Sequence, residues 1–560
     1  MLRVRPAVAY RHLKRLRQIV QVLAKNGFGE FLDQLRVWEH TSVRDRLPGR
    51  GEGKPSHLTA PQRLRLALEE LGPTFVKLGQ VLSTRPDLLP RDFIAELEKL
   101  QNQVSPVPTP VIRQIVEKEL GRPVPQVFGS FSEEPVAAAS LSQVHMAVLK
   151  TGDVVALKVQ RPDIHELVEV DLEVLRTLVN LTQQRLQRLG LADPVGLVKE
   201  FSYNLRRELD FKLEATNMER YQDYFRAEEY VHVPRVYREL CTERLLTMEF
   251  ISGIGVAETD VLESEGYDLA LLAERCADIS LKSTLEHGFF HADPHPGNLL
   301  VLPGNSICVL DYGMMGTVSV SQRERLAWLL HGLSRSDEKR VSRSLLDLAE
   351  MSEAVNVRAL ESKTANLIAE YGRLPLSELH LGTLLLRLWE LLKENNLSFD
   401  AHLVWVLKAA ATGEDIARRL RADFNMVEYA EPYVRRVIRR SLSLRRQLSE
   451  LQMTAMDLMG LLRDLPYQVR LLLGQLTEGM LRIEFEHVGL EHIRRTLNQV
   501  ANRLAMAIVL ASLILGSSLI VLSGLPPLVA NIPIIGLAGY VASGLIAVWL
   551  VISILRSDGR

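Results

Sequence analysis

Cysteine is scarce in this chain. Cys241, Cys276 and Cys308 are the only three among 560 residues, an odd number with no C-x-x-C spacing. That excludes a disulfide framework and a cysteine-built zinc framework, and it fits a reducing compartment. An excess of charge of one sign is also missing. With 67 Lys and Arg against 68 Asp and Glu the formal net charge is -1, so no global field argues for nucleic acid and no nucleic-acid partner is expected. The amino-terminal apolar run does not read as a signal peptide, because Gln18, Gln21 and Lys25 interrupt it and no cleavage-site pattern follows. No internal repeat is evident. Most telling is a missing glycine loop: "AAASLSQVH", Ala137 to His145, stands just before "VVALKVQRP", where a phosphate-gripping glycine turn would be expected.

What is present points to several folding units, roughly three to four for this length. Leu504 to Leu555 holds no charged residue, and "SGLPPLVANIP" splits it into two apolar runs of about the 20 residues needed to cross a bilayer. This reads as a transmembrane helical hairpin. Arg494, Arg495 and Arg503 precede it and Arg556 and Arg560 follow, which keeps both ends in the cytoplasm. Ser512 with Gly516, and Gly539 with Ser543, have the four-residue spacing that lets membrane helices close on each other or self-associate, a homodimer included. At the other end Leu13, Leu16, Val20 and Leu23 recur at helical spacing beside Arg11, Lys14, Arg15 and Arg17. Such a helix suits an anionic membrane face, and equally a place packed on the protein. A second basic cluster, "VRRVIRRSLSLRRQ" from Val434 to Gln447, also suits acidic headgroups.

Between these ends the pattern is α+β. After the linker "LPGRGEGKPS", a helical segment from Pro61 to Gln103 is interrupted by "TRPDLLP" and ended by "QVSPVPTP". Short strand-like runs follow from Val124 to Gln160, with a hairpin turn at Thr151-Gly152-Asp153; two long amphipathic helices then run to about Arg226, and "VHVPRVYRELCTERLLTMEF" returns to strand character. Gly253 and Gly255 mark a linker before a mostly helical remainder. A small mixed lobe, a hinge and a larger helical lobe make a bilobal protein-kinase-like fold. The expected boundaries are a basic segment 1–55, a helical extension 56–123, a small lobe 124–252, a helical lobe 253–430, a basic juxtamembrane region 431–503 and the spans 504–555.

The chemistry sits in "HADPHPGNLLV" and "VLDYG". Asp293 and Asn298 are five apart and Asp311 comes thirteen later. Phosphoryl transfer needs a carboxylate near the attacking oxygen, then an amide oxygen and a second carboxylate to hold magnesium against the phosphates. Asp293 takes the first role, Asn298 and Asp311 the metal role. His291 and His295 offer no third ligand for zinc. In "VVALKVQ" strand alternation sets Ala156, Lys158 and Gln160 on one face and Val155, Leu157 and Val159 on the other, which turns Lys158 to the nucleotide. Glu214 is the candidate carboxylate to fix that lysine, and fifty-six residues separate the two. Val136, Ala137, Ala138, Ala139, Ser140 and Ser142, with Lys158, Glu249 and Phe250, form the nucleotide-binding set. Alanine restricts backbone angles that glycine allows, so this loop is expected to cover ATP in an altered geometry, with the Ser140 and Ser142 hydroxyls available to phosphate or metal. Protein kinases and small-molecule phosphotransferases share these elements alike.

Further stretches narrow the choice. "LGPTFVKLGQVLSTRPDLLP", with Lys77 and Gln80 on one helical face, occurs in order with "AAASLSQVH", "ELDFKLEATN" and "FHADPHPGNLLV". Together they closely resemble the UbiB family of atypical kinase-like proteins, over Pro61 to Phe424 and on to the two carboxy-terminal spans of bacterial members. That resemblance implies a membrane-associated protein that uses ATP and Mg2+ and supports biosynthesis of ubiquinone or a related isoprenoid quinone, by ATP hydrolysis more than by protein phosphorylation. It implies that Lys77, Gly79 and Gln80 belong to an extension over the active site, with Glu208 and Asp210 as the matching acidic pair. The expected partners are anionic membrane lipid, a quinone-like prenyl lipid and quinone-biosynthesis enzymes, at a bacterial inner membrane with the catalytic part in the cytoplasm. A small-molecule or protein kinase, and a silent nucleotide-binding scaffold that organises prenyl-lipid enzymes, remain the alternatives.

Overall fold

The structure is a computed structural model that describes residues 6–34, 58–443 and 490–557, apart from short breaks at 84, 86–87, 101–104, 189–190, 192, 352–355, 372–380, 396, 400, 524–525 and 530–531, and the isolated positions 459 and 465. The linker at 47–56 and the part of the basic cluster beyond 443 lie outside the described residues, as do the side chains of Arg494, Arg495, Arg503 and Arg556 and the whole of Arg560. The chain divides into two compact units, Met1–Glu450 and Leu451–Arg560.

In the first unit, helix α1 (Pro6–Leu23) precedes an extension of three helices, α2 (Ala60–Leu71), α3 (Pro73–Ser83) and α4 (Arg91–Leu97). Thr59 opens α2 with a capping box to Gln62, which satisfies two donors that a helix start leaves free. Helix α5 (Thr109–Leu120) leads into strands β1 (Phe128–Ala138), β2 (Ser142–Leu149) and β3 (Val154–Gln160). With β5 (Leu245–Glu249) these make an antiparallel sheet of order β1-β2-β3-β5. The β2–β3 turn uses Gly152 at φ +98, where a side chain would be strained. Val155, Leu157 and Val159 are fully buried beneath α5 with Ile112 and Val116, so the opposite face of β3 carries Lys158.

Three helices, not two, occupy the stretch to residue 226: α6 (Ile164–Arg188), α7 (Pro194–Glu208) and α8 (Phe211–Phe225). The extra break has a local cause. Asp210 accepts from the backbone N–H groups of Lys212 and Leu213 and so caps α8, and a capped start cannot also be the interior of a longer helix.

Over residues 250–253 the chain passes to a second sheet, of order β4-β9-β8-β6, built from β4 (Val231–His232), β6 (Ile254–Gly255), β8 (Leu299–Leu302) and β9 (Ser306–Val309). The expected linker glycine Gly255 is therefore strand. Helix α9 (Leu269–Leu281) and the antiparallel pair β7 (Phe289–His291) and β10 (Met315–Thr317) follow. The rest is helical, notably α10 (Ala401–Leu420) and α11 (Glu431–Ser441). One apolar cluster joins α8, α9 and α10 with the second sheet.

Helix α1 packs on α6. Arg15 makes a two-pronged pair with Asp171, at 2.6 and 3.0 Å, and donates to Leu71 O at 2.7 Å. Arg11 pairs with Glu166, and His12 lies 3.0 Å from Glu173. Of the two settings open to this amphipathic helix, its arginines are turned onto the protein. On α11, Arg436 pairs with Glu286 at 2.8 Å and Arg435 with Glu431 at 2.6 Å, while Arg439 and Arg440 face solvent.

The second unit holds α12 (Leu490–Ser523) and α13 (Ile534–Ser557). Among the described residues one helix, over Leu504–Ser523, is long and apolar enough to cross a bilayer; the other apolar stretch, Leu537–Val548, is shorter. A Cβ at Gly539 would fall 2.1 Å from Ser517 Oγ, and Ser518 Oγ lies 2.6 Å from Tyr540 OH. Close approach therefore runs through Ser517 and Gly539, with Ser543 buried. Ser512 is exposed and Gly516 meets nothing within 4 Å, because their side of α12 faces away from α13.

Candidate functional site

Strand pairing sets the first element of the site. Lys158 lies opposite Val144 on β2 and Leu246 on β5, and its Nζ reaches Glu214 Oε1 at 2.7 Å and Asp311 Oδ1 at 3.3 Å. The fifty-six residues between lysine and glutamate are absorbed by α6 and α7, and α8 brings Glu214 back beneath β3. Phe211, one residue past the Asp210 cap, places its ring 5.4 Å from the Lys158 ammonium. Tyr312 N–H donates to Glu214 Oε1 at 3.4 Å, and Asn217 Nδ2 donates to Tyr312 O at 3.0 Å. Both bonds tie α8 to the "DYG" turn.

Electrostatics follow from this burial. Glu214 is raised to about 7 by desolvation, which outweighs the opposing charge of Lys158. Burial opposes the charged forms of Lys158 and Asp311 too, yet their mutual attraction holds the lysine pKa up and the aspartate pKa well below the usual range. Asp311 Oδ1 also accepts from Gly313 N at 2.9 Å. Glu214 Oε2 is buried without a hydrogen-bond partner.

Asn298 immediately precedes β8, and its carbonyl accepts from Leu310 N at 2.9 Å, which continues the β8–β9 ladder and sets Asn298 beside Asp311. This donor set fits Mg2+: one carboxylate and one amide oxygen suffice where water and phosphate complete the octahedron. Among the described residues no group of three or more His, Cys, Asp or Glu forms a metal cluster. His291 and His295 are used locally, their Nδ1 atoms accepting from Asp293 N and Gly297 N.

Asp293 is met by Lys408 Nζ at 2.8 Å. Burial pushes the Asp293 carboxyl up, but the Lys408 charge and hydrogen bond more than offset it and the pKa is lowered. Lys408 was not among the expected site residues. Its one sequence signal is a lone charge in the apolar run "LVWVLKAAAT".

The alanine turn is a docking element. Leu141 is buried in the core of the extension with Leu68, Phe75 and Leu97. Ala139 N–H donates to Ser142 O at 2.8 Å, and Arg161 Nε donates to Ala139 O at 2.8 Å. Ser140 and Ser142, expected to offer free hydroxyls, are 2% and 4% exposed, because Leu141 draws the turn inward between them. Ala137 and Ala138 pair with Val144 and Gln143 in the β1–β2 ladder, and Val136 is exposed. Glu249 turns its carboxylate to His232 and Arg235 N, both at 3.1 Å, and Phe250 N–H donates to Val154 O at 3.1 Å.

In the extension, Lys77 pairs with Glu208. Burial works against the Lys77 charge, but the charge and hydrogen bond of Glu208 more than offset it, Asp311 and Asp293 add to the rise, and the pKa is raised, so this lysine feels both site aspartates. Gln80 Nε2 donates to Leu100 O at 3.3 Å. Glu208 Cγ comes 3.7 Å from a Cβ built on Gly313. Asp210, the expected second member of the acidic pair, caps α8 through its Oδ1.

Comparison with known proteins places these elements. Residues 99–345 match an ABC1 atypical kinase-like domain, 364–425 a UbiB helical domain and 488–556 an ABC1/UbiB kinase-like C-terminal domain. A Pseudomonas fluorescens relative, "Probable protein kinase UbiB", is 32% identical over 79% of this chain and 84% of its own length. The chain belongs to the UbiB family of atypical kinases. A Clostridium pasteurianum protein described as lying in a hydrogenase 1 5' region is 33% identical over 97% of this chain and 99% of its own. The chloroplastic Arabidopsis thaliana protein ACTIVITY OF BC1 COMPLEX KINASE 7 is 34% identical over 73% of this chain, which spans 59% of that longer relative. A Mycobacterium tuberculosis structure of a complex with erythromycin aligns with 66% of this chain at 22% identity and a TM-score of 0.46. Within the UbiB pattern, Lys158, Glu214, Asp293, Asn298 and Asp311 fall in the kinase-like domain and Lys408 in the helical domain.

Proposed function

We propose that this chain is a membrane-anchored, Mg2+-dependent ATPase or atypical kinase that supports synthesis of ubiquinone or a related isoprenoid quinone. The observation that carries the reading is the convergence of Lys158, Glu214 and Asp311 within 3.3 Å. A lysine held by a buried carboxylate, beside a second carboxylate kept ionised, is the arrangement that orients phosphates and holds a metal ion against them. Asn298 and Asp311 would hold Mg2+, which would neutralise charge on the transferred group. Asp293 would accept the proton of the attacking hydroxyl. Its lowered pKa makes it a weak base, adequate where the transition state is loose and little proton transfer precedes bond formation.

The extension bears on the acceptor. Lys77 and Glu208 pair beside Gly313, which favours water or a small hydroxyl over a protein side chain. The apolar helix Leu504–Ser523 supports a bilayer anchor, and with the second apolar run it would complete the hairpin, at a bacterial inner membrane with the catalytic unit in the cytoplasm. The quinone assignment comes from the UbiB relatives; anionic lipid, a prenyl quinone precursor, the enzymes of that pathway and a second copy of the chain are the proposed partners. The test is ATP turnover by the purified full chain in vesicles with and without anionic lipid, with mass spectrometry of phosphorylated products and co-purified lipid. Mg2+-dependent turnover with a bound prenyl lipid is expected; no turnover in any vesicle would overturn the reading.

A further inference from the structure

We propose that Lys408, supplied by the helical domain, is a catalytic cation of the phosphoryl-transfer site. This rests on the phosphoryl-transfer reading and adds a residue to it. A carboxylate at the point of attack repels the phosphates it must work beside, so the site needs a cation there as well as at Lys158. The loop from Asp293 to Asn298, "DPHPGN", contains neither Lys nor Arg. Lys158 is held by Glu214 and Asp311, and Lys77 by Glu208. Lys408 is bonded to Asp293 Oδ1 at 2.8 Å, and its side chain keeps 28% exposure.

Packing fixes it there. Leu403, Val404, Val406 and Ala409 bury α10 in the main core. Gly413 lies so close to α9 that a Cβ would meet Ser280 Oγ at 2.9 Å. Trp405 Nε1 donates to Glu200 Oε1 at 3.4 Å on α7. The Lys408 ammonium is thus held at the Asp293 carboxylate.

In the reaction, the acceptor oxygen bonds to the γ-phosphorus as the bond to the β–γ bridging oxygen breaks. The acceptor proton passes to the free Asp293 Oδ2, and ADP leaves with the bond's electron pair. Lys408 stays on Oδ1, holding that carboxylate in place and its ammonium against the transferred group, as an ammonium serves phosphate elsewhere. The helical domain thereby enters the chemistry.

The test compares wild type, Lys408→Met and Lys408→Arg as full chains, by kcat and KM for Mg-ATP and by thermal melting. Loss of kcat by about 10²-fold or more is expected in Lys408→Met, with KM within about threefold and about tenfold recovery in Lys408→Arg. If the methionine variant melts early, Lys408→Gln is read in its place. An unchanged or raised kcat overturns the proposal, since the lysine would then be idle or would mask Asp293. An inactive wild type would instead bring down the phosphoryl-transfer reading itself.

Discussion

Gly79 tests how the extension is seated. A Cβ at this position in α3 would lie 2.4 Å from Leu100 Cδ1, 2.8 Å from Leu68 Cδ1 and 3.7 Å from Leu97 Cδ2. Carbon pairs are comfortable at about 3.5–4.0 Å, so two methyl groups would each have to retreat by about 1 Å. Neither has room, since Leu68 and Leu100 are each 5% exposed and Leu97 is fully buried. Overpacking of this kind costs about 1–3 kcal/mol, against which alanine gains about 1 kcal/mol over glycine inside a helix. The net for Gly79→Ala is therefore a loss of about 1 kcal/mol. Urea unfolding of the detergent-solubilised full chain, with the slope held common, measures it. The sign decides: a variant more stable than wild type by the helix gain alone refutes the close packing of α3 on α2 and α4. Amide exchange over residues 73–83 should rise with the loss, because Lys77, two residues away, is then less firmly held on Glu208.

Glu214, raised to about 7 by burial, should impose a pH limb on turnover. Below that pH the carboxyl is protonated and no longer orients Lys158, so kcat/KM should fall as pH drops through about 7; a flat profile there in wild type, or the same limb in Glu214→Gln, would count against the assignment. Arg15→Met should leave Asp171 buried without its guanidinium. With the two side chains 10% and 0% exposed, about 3–5 kcal/mol of stability should go, and a loss below about 1 kcal/mol in urea unfolding would mean that α1 is not seated on α6 as described. Leu141→Ala should release the alanine turn from the extension at a cost of about 2–5 kcal/mol, and it should change the melting shift that Mg-ATP induces; an unaltered shift would show that the turn does not govern the nucleotide.

The parts of the site that were legible are those carried by short spacings. Asp293, Asn298 and Asp311 lie within nineteen residues, and strand alternation alone turns Lys158 away from the core of Val155, Leu157 and Val159. Glu214 is farther off, and its helix could be picked out because "ELDFKLEATN" has a family pattern. Asp210 in the same motif shows the limit: its capping of α8 through the N–H groups of Lys212 and Leu213 is not written in the motif. Lys408 comes 115 residues after Asp293, and no local pattern links positions that only tertiary packing joins. The same holds at α1. An amphipathic face with four basic residues is indistinguishable in sequence whether its partner is lipid or the acids Glu166, Asp171 and Glu173 of α6. The burial of Ser140 and Ser142 is not legible either, because it follows Leu141, whose place depends on Leu68, Phe75 and Leu97 of an extension well upstream.

The account stands most directly on one measurement, the rate of phosphate release from Mg-ATP by the purified full chain and by Asp311→Asn at matched thermal stability. Asp311 holds Lys158 and is one of the two proposed Mg2+ donors, so the amide should lower turnover by about 10²-fold or more. It should also abolish the Mg2+ dependence of whatever turnover remains. Equal turnover by the two proteins, with the same dependence on Mg2+, would contradict the assignment of this site to phosphoryl transfer.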